Sequence, residues 1–316
     1  MSVRFHLPGL RYNFPLNMLL IRLMESSPHF FREGLEIASM FGEFPTSKWN
    51  GGRYAGGDQC NAEFITNVIR AINAEGIPVR YTYTNPLLTE ADLADPYCNF
   101  CMKAADNGMN EVIVVSPLLE EYIRKNYPNF KITSSTCKEI KNMDALNEEL
   151  AKDYNLVVLD YNLNNQFELL SQIKEKEKCE FLVNSCCIPN CPRRGEHYRF
   201  IAKQEEVLLK NRKLPAGKQM EVPHWYCEWG ENTSIYISKN YVTHISPEAI
   251  WETYVPMGFQ NFKLEGRTAN LFLLVDTYAY YFAKPEYRDE MRLVLTANLE
   301  ANNVITVNKP RRGVWP

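Results

Sequence analysis

Residues 110–129 read NEVIVVSPLLEEYIRKNYPN, a short apolar run followed at once by a segment with helical spacing. Residues 110–116 have the length and the β-branched content of a buried strand. In the segment that follows, apolar residues recur every three or four positions, and the segment ends in asparagine, which is typical of a helix stop. This stretch therefore predicts one strand–helix unit of a parallel sheet.

The same alternation recurs along the chain, where eight segments have strand character. They are residues 35–42, 77–85, 110–116, 130–136, 156–162, 179–185, 241–245 and 262–265, of which 241–245 is the weakest. Eight alternations predict an α/β protein with a single (β/α)8 TIM-like barrel, formed by residues 1–316 as one domain. Residues 1–34 then form an N-terminal extension, and residues 201–240 form a long insertion before the seventh strand.

Composition excludes some classes of partner. The chain has 316 residues, a formal net charge of -3 and a hydrophobic fraction of 45%, so no extended nucleic-acid or anionic-lipid surface is expected. The first twenty residues have no continuous apolar region, and no later stretch is long and apolar enough to cross a membrane. A cytoplasmic protein with nine reduced cysteines is predicted, with a small-molecule substrate and room for a partner protein.

Polar side chains follow nearly every predicted strand, where barrel enzymes carry their catalytic groups. Glu265 and Asp160 are the candidate acid/base groups, since a carboxylate at a barrel mouth is partly desolvated. The candidate substrate-binding residues are Asn50, Arg53, Asn85, Asn184, Arg193, Arg194 and Arg267, whose arginines could hold a carboxylate or phosphate. The alternatives are that such residues cap the next helix, and that Glu265 pairs with Arg267 or Arg53 as scaffolding.

A cysteine-rich loop, SCCIPNCPRRGEHY at residues 185–198, follows the sixth predicted strand. Thiolates are soft ligands for iron and zinc, and Cys187, Cys191 and Cys227 are the candidate metal ligands. The cofactor would be an iron–sulfur cluster, with a zinc site that includes His197 as the alternative, and His197 could instead carry a proton in catalysis. A fourth thiol could come from Cys60, Cys98, Cys101 or Cys186. The cysteines could also be buried without any metal.

Three motifs carry a resemblance to a known family. NSCCIPNCPRRGEHY, ISPEAIWETYVPMGFQNFKLEGR and FGEFPTSKWNGGR resemble the collagenase-like U32 peptidase family and its barrel relatives over most of residues 35–270. The resemblance implies a barrel in a peptidase-like family. It also implies that Cys187, Cys191 and Cys227 occupy places comparable to three cysteines of the four-iron four-sulfur cluster of relatives that hydroxylate quinone precursors or RNA bases without oxygen.

Two classes of function remain open at this point. The first is a hydrolase-like or hydroxylase-like enzyme, in which a metal or iron–sulfur centre stands beside an arginine-lined pocket for a small anionic substrate. The second is a non-catalytic barrel that binds a ligand or a partner protein and in which the cysteines are structural. A peptidase is a further possibility, although the chain has none of the common protease motifs.

Overall fold

The computed structural model describes residues 2–45, 47–51, 59–229, 235–267 and 270–306. Within these residues, eight parallel strands pair in chain order and close into a barrel. The strands are β1 (Val3–Pro8), β2 (Leu35–Gly42), β3 (Val79–Tyr83), β4 (Glu111–Val114), β5 (Lys131–Ser134), β6 (Leu156–Val158), β7 (Cys179–Leu182) and β8 (Asn261–Lys263). The predicted (β/α)8 barrel is confirmed.

Helices alternate with the strands and cover the outside of the barrel. The α-helices are α1 (Phe14–Ser26), α2 (Ala62–Ala74), α3 (Pro96–Ala105), α4 (Pro117–Asn126), α5 (Met143–Leu150), α6 (Phe167–Ser171), α7 (Arg194–Asn211), α8 (Ile235–Ser238), α9 (Pro247–Ala249), α10 (Leu271–Phe282) and α11 (Arg288–Ala301). A π-helix, Ile250–Tyr254, follows α9 directly. Short 3-10 helices lie at Pro28–Phe30, Glu90–Ala94, Thr136–Lys138, Tyr161–Leu163, Lys176–Lys178, Ala216–Lys218 and Pro285–Tyr287.

Helix α2 shows why these segments fold as the sequence indicates. The side chain of Asn61 accepts the backbone N–H of Phe64 at 2.7 Å and so caps the first turn. The buried residues of α2 are Ile65, Val68, Ile69 and Ile72, which recur at helical spacing and form one apolar stripe. The stripe packs into the hydrophobic core between the strands and the helices.

Residues 1–34 are not an N-terminal extension, and this part of the sequence prediction is wrong. They contain β1, which pairs with β2 on one side and with β8 on the other, and α1, so they form the first strand–helix unit. The closure of the barrel depends on β1, because it is the strand that joins the two ends of the sheet.

The composition of β1 explains why it was overlooked. Its apolar residues, Val3, Phe5 and Leu7, are buried against the helices, and the Phe5 and Phe282 rings lie 4.9 Å apart. Its polar residue His6 is also buried and donates to or accepts from Ser39 inside the barrel, at 2.8 Å. An alternating pattern usually indicates one solvated face. In β1 the apolar side chains face the helices and His6 faces the barrel interior. The alternation therefore arises because the interior is polar, not because one face is solvated.

The prediction of a seventh strand at residues 241–245 is also wrong. These residues form turns and irregular structure, and the backbone N–H of Ile245 makes a single bond to the carbonyl of Val183. With β1 counted first, the cysteine loop follows the seventh strand, and the insertion at residues 201–240 lies between β7 and β8. Helix α7 occupies the first part of that insertion.

The lower interior of the barrel, toward the amino ends of the strands, contains an ionic network. Branched aliphatic side chains usually fill this space in such barrels. Arg80 Nε lies 2.6 Å from Glu111 Oε2, and Arg80 Nη1 forms a second short ion pair with Glu180. Burial favours the protonated form of Glu180, but the neighbouring charges, of which Arg80 is the strongest, and the hydrogen bond from Arg80 together outweigh it, and the pKa of Glu180 is lowered to about 2. His6 Nε2 lies 3.3 Å from the same carboxylate. Burial and Arg80 hold the pKa of His6 well below its usual value, so the imidazole is neutral.

In the part of the chain that the structure describes, no helix is both long enough and apolar enough to cross a membrane.

Candidate functional site

A cavity of about 510 Å³ opens at the carboxyl ends of the strands. This volume is within the range of small-molecule sites. Its walls come from the ends of the strands, from the cysteine loop, from α7, from the insertion and from the start of α10. The cavity is therefore at the end of the barrel where such folds carry their active sites.

Three charged residues of the β8 segment line this cavity: Lys263, Glu265 and Arg267. They are spaced by two along the chain, and in extended backbone this spacing directs side chains to the same face. The motif FKLEGR therefore places an amine, a carboxylate and a guanidinium in one cavity, of which the sequence analysis selected the last two.

Each cation of the cavity wall is held by a buried carboxylate. Arg267 Nη1 lies 2.9 Å from Glu43 Oε2, and Lys263 Nζ lies 3.5 Å from Glu180 Oε1. Both carboxylates are at most 1% exposed. Such pairing fixes the positions of the cations, so that the geometry of the cavity wall is set before any ligand binds.

Lys263 lines the cavity and is also buried. Its Nζ lies 4.1 Å from the centroid of the Phe41 ring. Burial lowers the pKa of Lys263 to about 8; Glu180 acts in the opposite direction, while Arg80 and Arg267 add to the lowering. A substantial fraction of this amine is neutral near physiological pH, unlike that of an ordinary lysine.

Glu265 is held by the Asn184 side chain and by the backbone of the cysteine loop. Its carboxylate Oε2 accepts the backbone N–H of Cys186 at 2.8 Å, and its own N–H donates to Asn184 Oδ1 at 2.7 Å. Asn184 Nδ2 donates back to the Glu265 carbonyl at 3.2 Å. Asn184 thus lines the cavity and also fixes the position of Glu265. Burial and the charge of Glu265 raise the pKa of the Cys186 thiol, which is therefore protonated.

Asp160 and Arg194 pair with each other, with Arg194 Nη1 2.8 Å from Asp160 Oδ2. The Asp160 carboxylate is buried and also accepts the backbone N–H of Asn162 at 2.9 Å. Arg194 reaches the cavity wall, where its Nε donates to Tyr198 and its Nη2 to Thr136 Oγ1. The structure therefore places Asp160 behind the wall as the partner of Arg194, where its described contacts are structural.

Arg193, Trp225 and His197 form a stack at the rim of the cavity. The His197 and Trp225 rings are nearly parallel with centroids 4.8 Å apart, and the Arg193 guanidinium lies 4.2 Å from the Trp225 ring. Arg193 also pairs with Glu196 at 3.0 Å. His197 and Trp225 are among the lining residues of the cavity. The stack attaches the irregular part of the insertion to α7, so the insertion forms one side of the cavity.

The three predicted metal ligands, Cys187, Cys191 and Cys227, all line the cavity and are half-buried. Soft thiolates on one wall suit iron or zinc chemically. However, within the described residues no three His, Cys, Asp or Glu side chains are gathered closely enough to hold a metal ion. The donor chemistry therefore fits the predicted centre, whereas this conformation does not form it, and we assign no chemical step to a metal.

Two further predicted substrate-binding residues form hydrogen bonds in the loops that follow β2 and β3. Asn50 donates to the buried Glu43 carboxylate at 2.9 Å, and Asn85 donates to the Lys48 carbonyl at 2.8 Å. Both asparagines are buried. Arg53, the remaining predicted residue, lies outside the described residues.

Sequence reasoning missed Lys263 as a site residue, and it did not select Cys137, which also lines the cavity. Lys263 was treated as part of a predicted strand, and Cys137 lies at the edge of one. A signal for Lys263 was present, because a lysine two positions before Glu265 and four before Arg267 shares their face of an extended segment. The missing information was the burial of this face around a cavity.

Comparisons with known proteins agree with the resemblance seen in the sequence. No protein-family model matches the chain. An uncharacterized protease of Methanocaldococcus jannaschii is 26% identical over 112 residues, which are 34% of this chain and 32% of that protein. This chain thus matches about a third of the length of that curated relative. A solved structure of a U32 peptidase is 11% identical, with a TM-score of 0.49, and the alignment covers 85% of this chain and 95% of that one. These two proteins, an uncharacterized protease and a U32 peptidase, are what the chain is similar to.

Proposed function

We propose that this U32-peptidase-like barrel is an enzyme that acts on a small anionic substrate in the cavity at the carboxyl end of the barrel. The observation that carries the proposal is the set of cations on the cavity wall, each fixed by a carboxylate behind it. Lys263, Arg194 and Arg267 line the cavity, whereas Glu180, Asp160 and Glu43 are buried.

The described polar contacts of Arg267 explain why an anion would bind here. Its ion pair with Glu43 and its hydrogen bond to Thr82 both use Nη1. A guanidinium has five N–H donors in a planar fork, and further donors suit a carboxylate or phosphate. Glu265 lines the same cavity and supplies a carboxyl group for proton transfer.

The test is calorimetric titration with small carboxylates and inorganic phosphate, with the neutral amides of the same acids as controls. We expect the anions to bind better than the amides, and Arg267→Gln to weaken binding by about tenfold or more, as loss of a hydrogen bond to a charged group does. Arg267→Lys, which keeps the charge beside Glu43, and Arg124→Gln on the outer surface are the controls. Equal affinity for anions and amides would overturn the proposal.

Cys187, Cys191 and Cys227 support a second part of the proposal, in which they bind an iron–sulfur cluster or zinc. The cysteine loop, which carries Cys187 and Cys191, and the insertion, which carries Cys227, would have to come together around the metal, since the three thiols are not gathered in the present conformation. Oxygen-independent hydroxylation is the activity that such a cluster would suit by resemblance. Metal analysis and visible absorption of protein purified without oxygen test this part independently of anion binding.

Peptidase activity is the second candidate function. It is favoured by the names of the two similar proteins, one a protease and the other a U32 peptidase. Digestion of a fluorogenic peptide library, compared between the wild type and Glu265→Gln, separates this candidate from the first. Cleavage that disappears in the variant supports a peptidase.

A further inference from the structure

The proposed function uses Lys263 of the FKLEGR motif only as a charge. Its Nζ ends in the cavity with an aromatic ring on one side, 4.1 Å from the Phe41 centroid, and the Glu180 carboxylate on another, at 3.5 Å. The side chain is 10% exposed, so the amine is largely shielded from bulk water although the residue lines the cavity. Desolvation and neighbouring cations are the two means by which proteins make a lysine nucleophilic.

We propose that Lys263 forms a Schiff base with a 2-oxo acid bound in this cavity. This inference rests on the proposed anion site and deepens it, because it names both the substrate class and the covalent bond. The carboxylate of the 2-oxo acid would bind Arg267, and its C2 carbonyl would face the amine, since Arg267 and Lys263 lie on the same face of the β8 segment.

The reaction balances without any further reactant. The lone pair of the neutral amine attacks C2, and one proton passes from Nζ through the Glu265 carboxylate to the C2 oxygen, which gives a neutral carbinolamine. Glu265 then takes up a proton from solvent and donates it to the departing hydroxyl, which leaves as water. The lone pair of Nζ forms the C=N bond as the hydroxyl leaves, so the product is the iminium ion. In total, one amine, one ketone and one proton yield one iminium ion and one water.

The surroundings of the amine favour this chemistry. Glu180, Arg80, Arg267 and Cys137 act on Lys263 in decreasing order of their effect, and His6 of β1 lies beside it and contacts the same Glu180 carboxylate. Burial is the largest influence and favours the neutral amine, as do Arg80 and Arg267. Glu180 opposes this effect but also fixes Nζ in place. At a pKa of about 8, roughly a tenth of the amine is neutral at pH 7.

The test is reductive trapping followed by intact mass and peptide mapping. The full chain is incubated with glyoxylate, pyruvate, 2-oxoglutarate or phenylpyruvate in the presence of sodium cyanoborohydride. We expect one reduced adduct per chain with at least one of these probes, located on Lys263. Lys263→Arg should abolish the adduct. Lys239→Arg should keep it, although Lys239 also has a pKa lowered mainly by burial and lies 3.7 Å from the Tyr280 centroid.

The dependence of trapping on pH gives a second readout. The trapping rate should rise through a midpoint near the pKa of Lys263, well below that of an exposed lysine. Arg267→Met removes a neighbouring cation, so the midpoint should move to higher pH and the probe concentration for half-maximal trapping should rise. A midpoint that does not move in this variant would contradict the placement of Arg267 beside the reactive amine.

The outcomes separate this inference from the proposed function. If calorimetry detects anion binding but none of the four probes forms an adduct on Lys263, the Schiff base is overturned and the anion site stands. An adduct spread over many surface lysines, or one kept in Lys263→Arg, also overturns it. If no anion binds and no adduct forms, both proposals are wrong.

Discussion

Charged residues fill two neighbouring regions of this barrel with different consequences. In the lower interior, Arg80 contacts the carboxylates of Glu111 and Glu180, and all three side chains are at most 7% exposed. In the cavity above, Lys263 and Arg267 each have a carboxylate on one side and ligand space on the other. The first region can only stabilise or destabilise the fold, whereas the second can also bind and react.

Burial alone does not identify a charged group as functional. The side chains of Arg80, Glu111 and Glu180 are deeply buried, yet their short ion pairs are made with one another. Lys263 links the two regions, because its amine contacts Glu180 below and lines the cavity above.

The largest effect is expected from Arg80→Met. It leaves the carboxylates of Glu111 and Glu180 buried with one cation fewer, and removal of one partner of a buried ion pair costs about 3–5 kcal/mol. Urea denaturation measures the loss. The control is Arg124→Met, which breaks the partly exposed pairs with Glu120 and Asp153 and should cost about 1 kcal/mol or less. Equal losses in the two variants would contradict the contrast between the barrel interior and the surface.

A second effect, of opposite sign, is expected from Glu205→Gln in α7. Glu205 is 3% exposed, and its Oε1 has no hydrogen-bond partner among the described residues. Burial and the charge of Glu43 raise the pKa of Glu205 to about 8. The folded state then binds a proton that the unfolded state has released, so the wild-type stability should fall as the pH rises from about 4.5 to about 8.

Glutamine is neutral at every pH and avoids this loss. Glu205→Gln should therefore match the wild type near pH 4.5 and exceed its free energy of unfolding by about 3–4 kcal/mol at pH 8. Urea denaturation across this pH range measures the difference. The neighbouring Glu206→Gln is the control, since Glu206 is half-exposed and pairs with Lys210. A difference between Glu205→Gln and the wild type that does not grow with pH would show that the carboxyl is ionised in the folded state.

The sequence predicted β2 to β7 within a few residues, because each is a short apolar run before a helix pattern. It failed at β1, where Arg4 and His6 made the segment look exposed, although His6 belongs to the polar interior. It also failed at residues 241–245, since local β propensity does not reveal whether a neighbouring strand is available for pairing.

For the candidate site, Glu265, Arg267 and the cysteine loop were selected from their positions at strand ends, and they line one cavity. The sequence could not find the partners that decide each role. Asp160 was selected as an acid/base candidate, but its pairing with Arg194 depends on how α7 packs against the end of β6. Lys263 was missed for a similar reason, because its burial beside Glu180 is a property of the closed barrel.

A smaller change in stability is expected when Cys187, Cys191 and Cys227 are all replaced by serine. The three thiols lie in loops and are half-buried, so the barrel should lose about 1 kcal/mol or less. Metal content after anaerobic purification should fall to background. Cys179→Ser is the matched control: that thiol is fully buried in β7, so the variant should lose more stability and keep its metal. Unchanged metal content in the triple variant would leave these cysteines with a packing role.

The smallest change in stability is expected from Glu265→Gln. A glutamine has the same shape, and its amide oxygen can still accept the Cys186 N–H that the carboxylate accepts at 2.8 Å. The free energy of unfolding should therefore change by less than about 0.5 kcal/mol. The variant cannot donate the carboxyl proton on which loss of water from the carbinolamine depends. The trapping rate at Lys263 should therefore fall by about 10²–10⁴-fold. Glu252→Gln, an exposed position in the π-helix, serves as the control and should trap at the wild-type rate. A wild-type rate in Glu265→Gln would instead mean that Glu265 only holds the cysteine loop against the β8 segment.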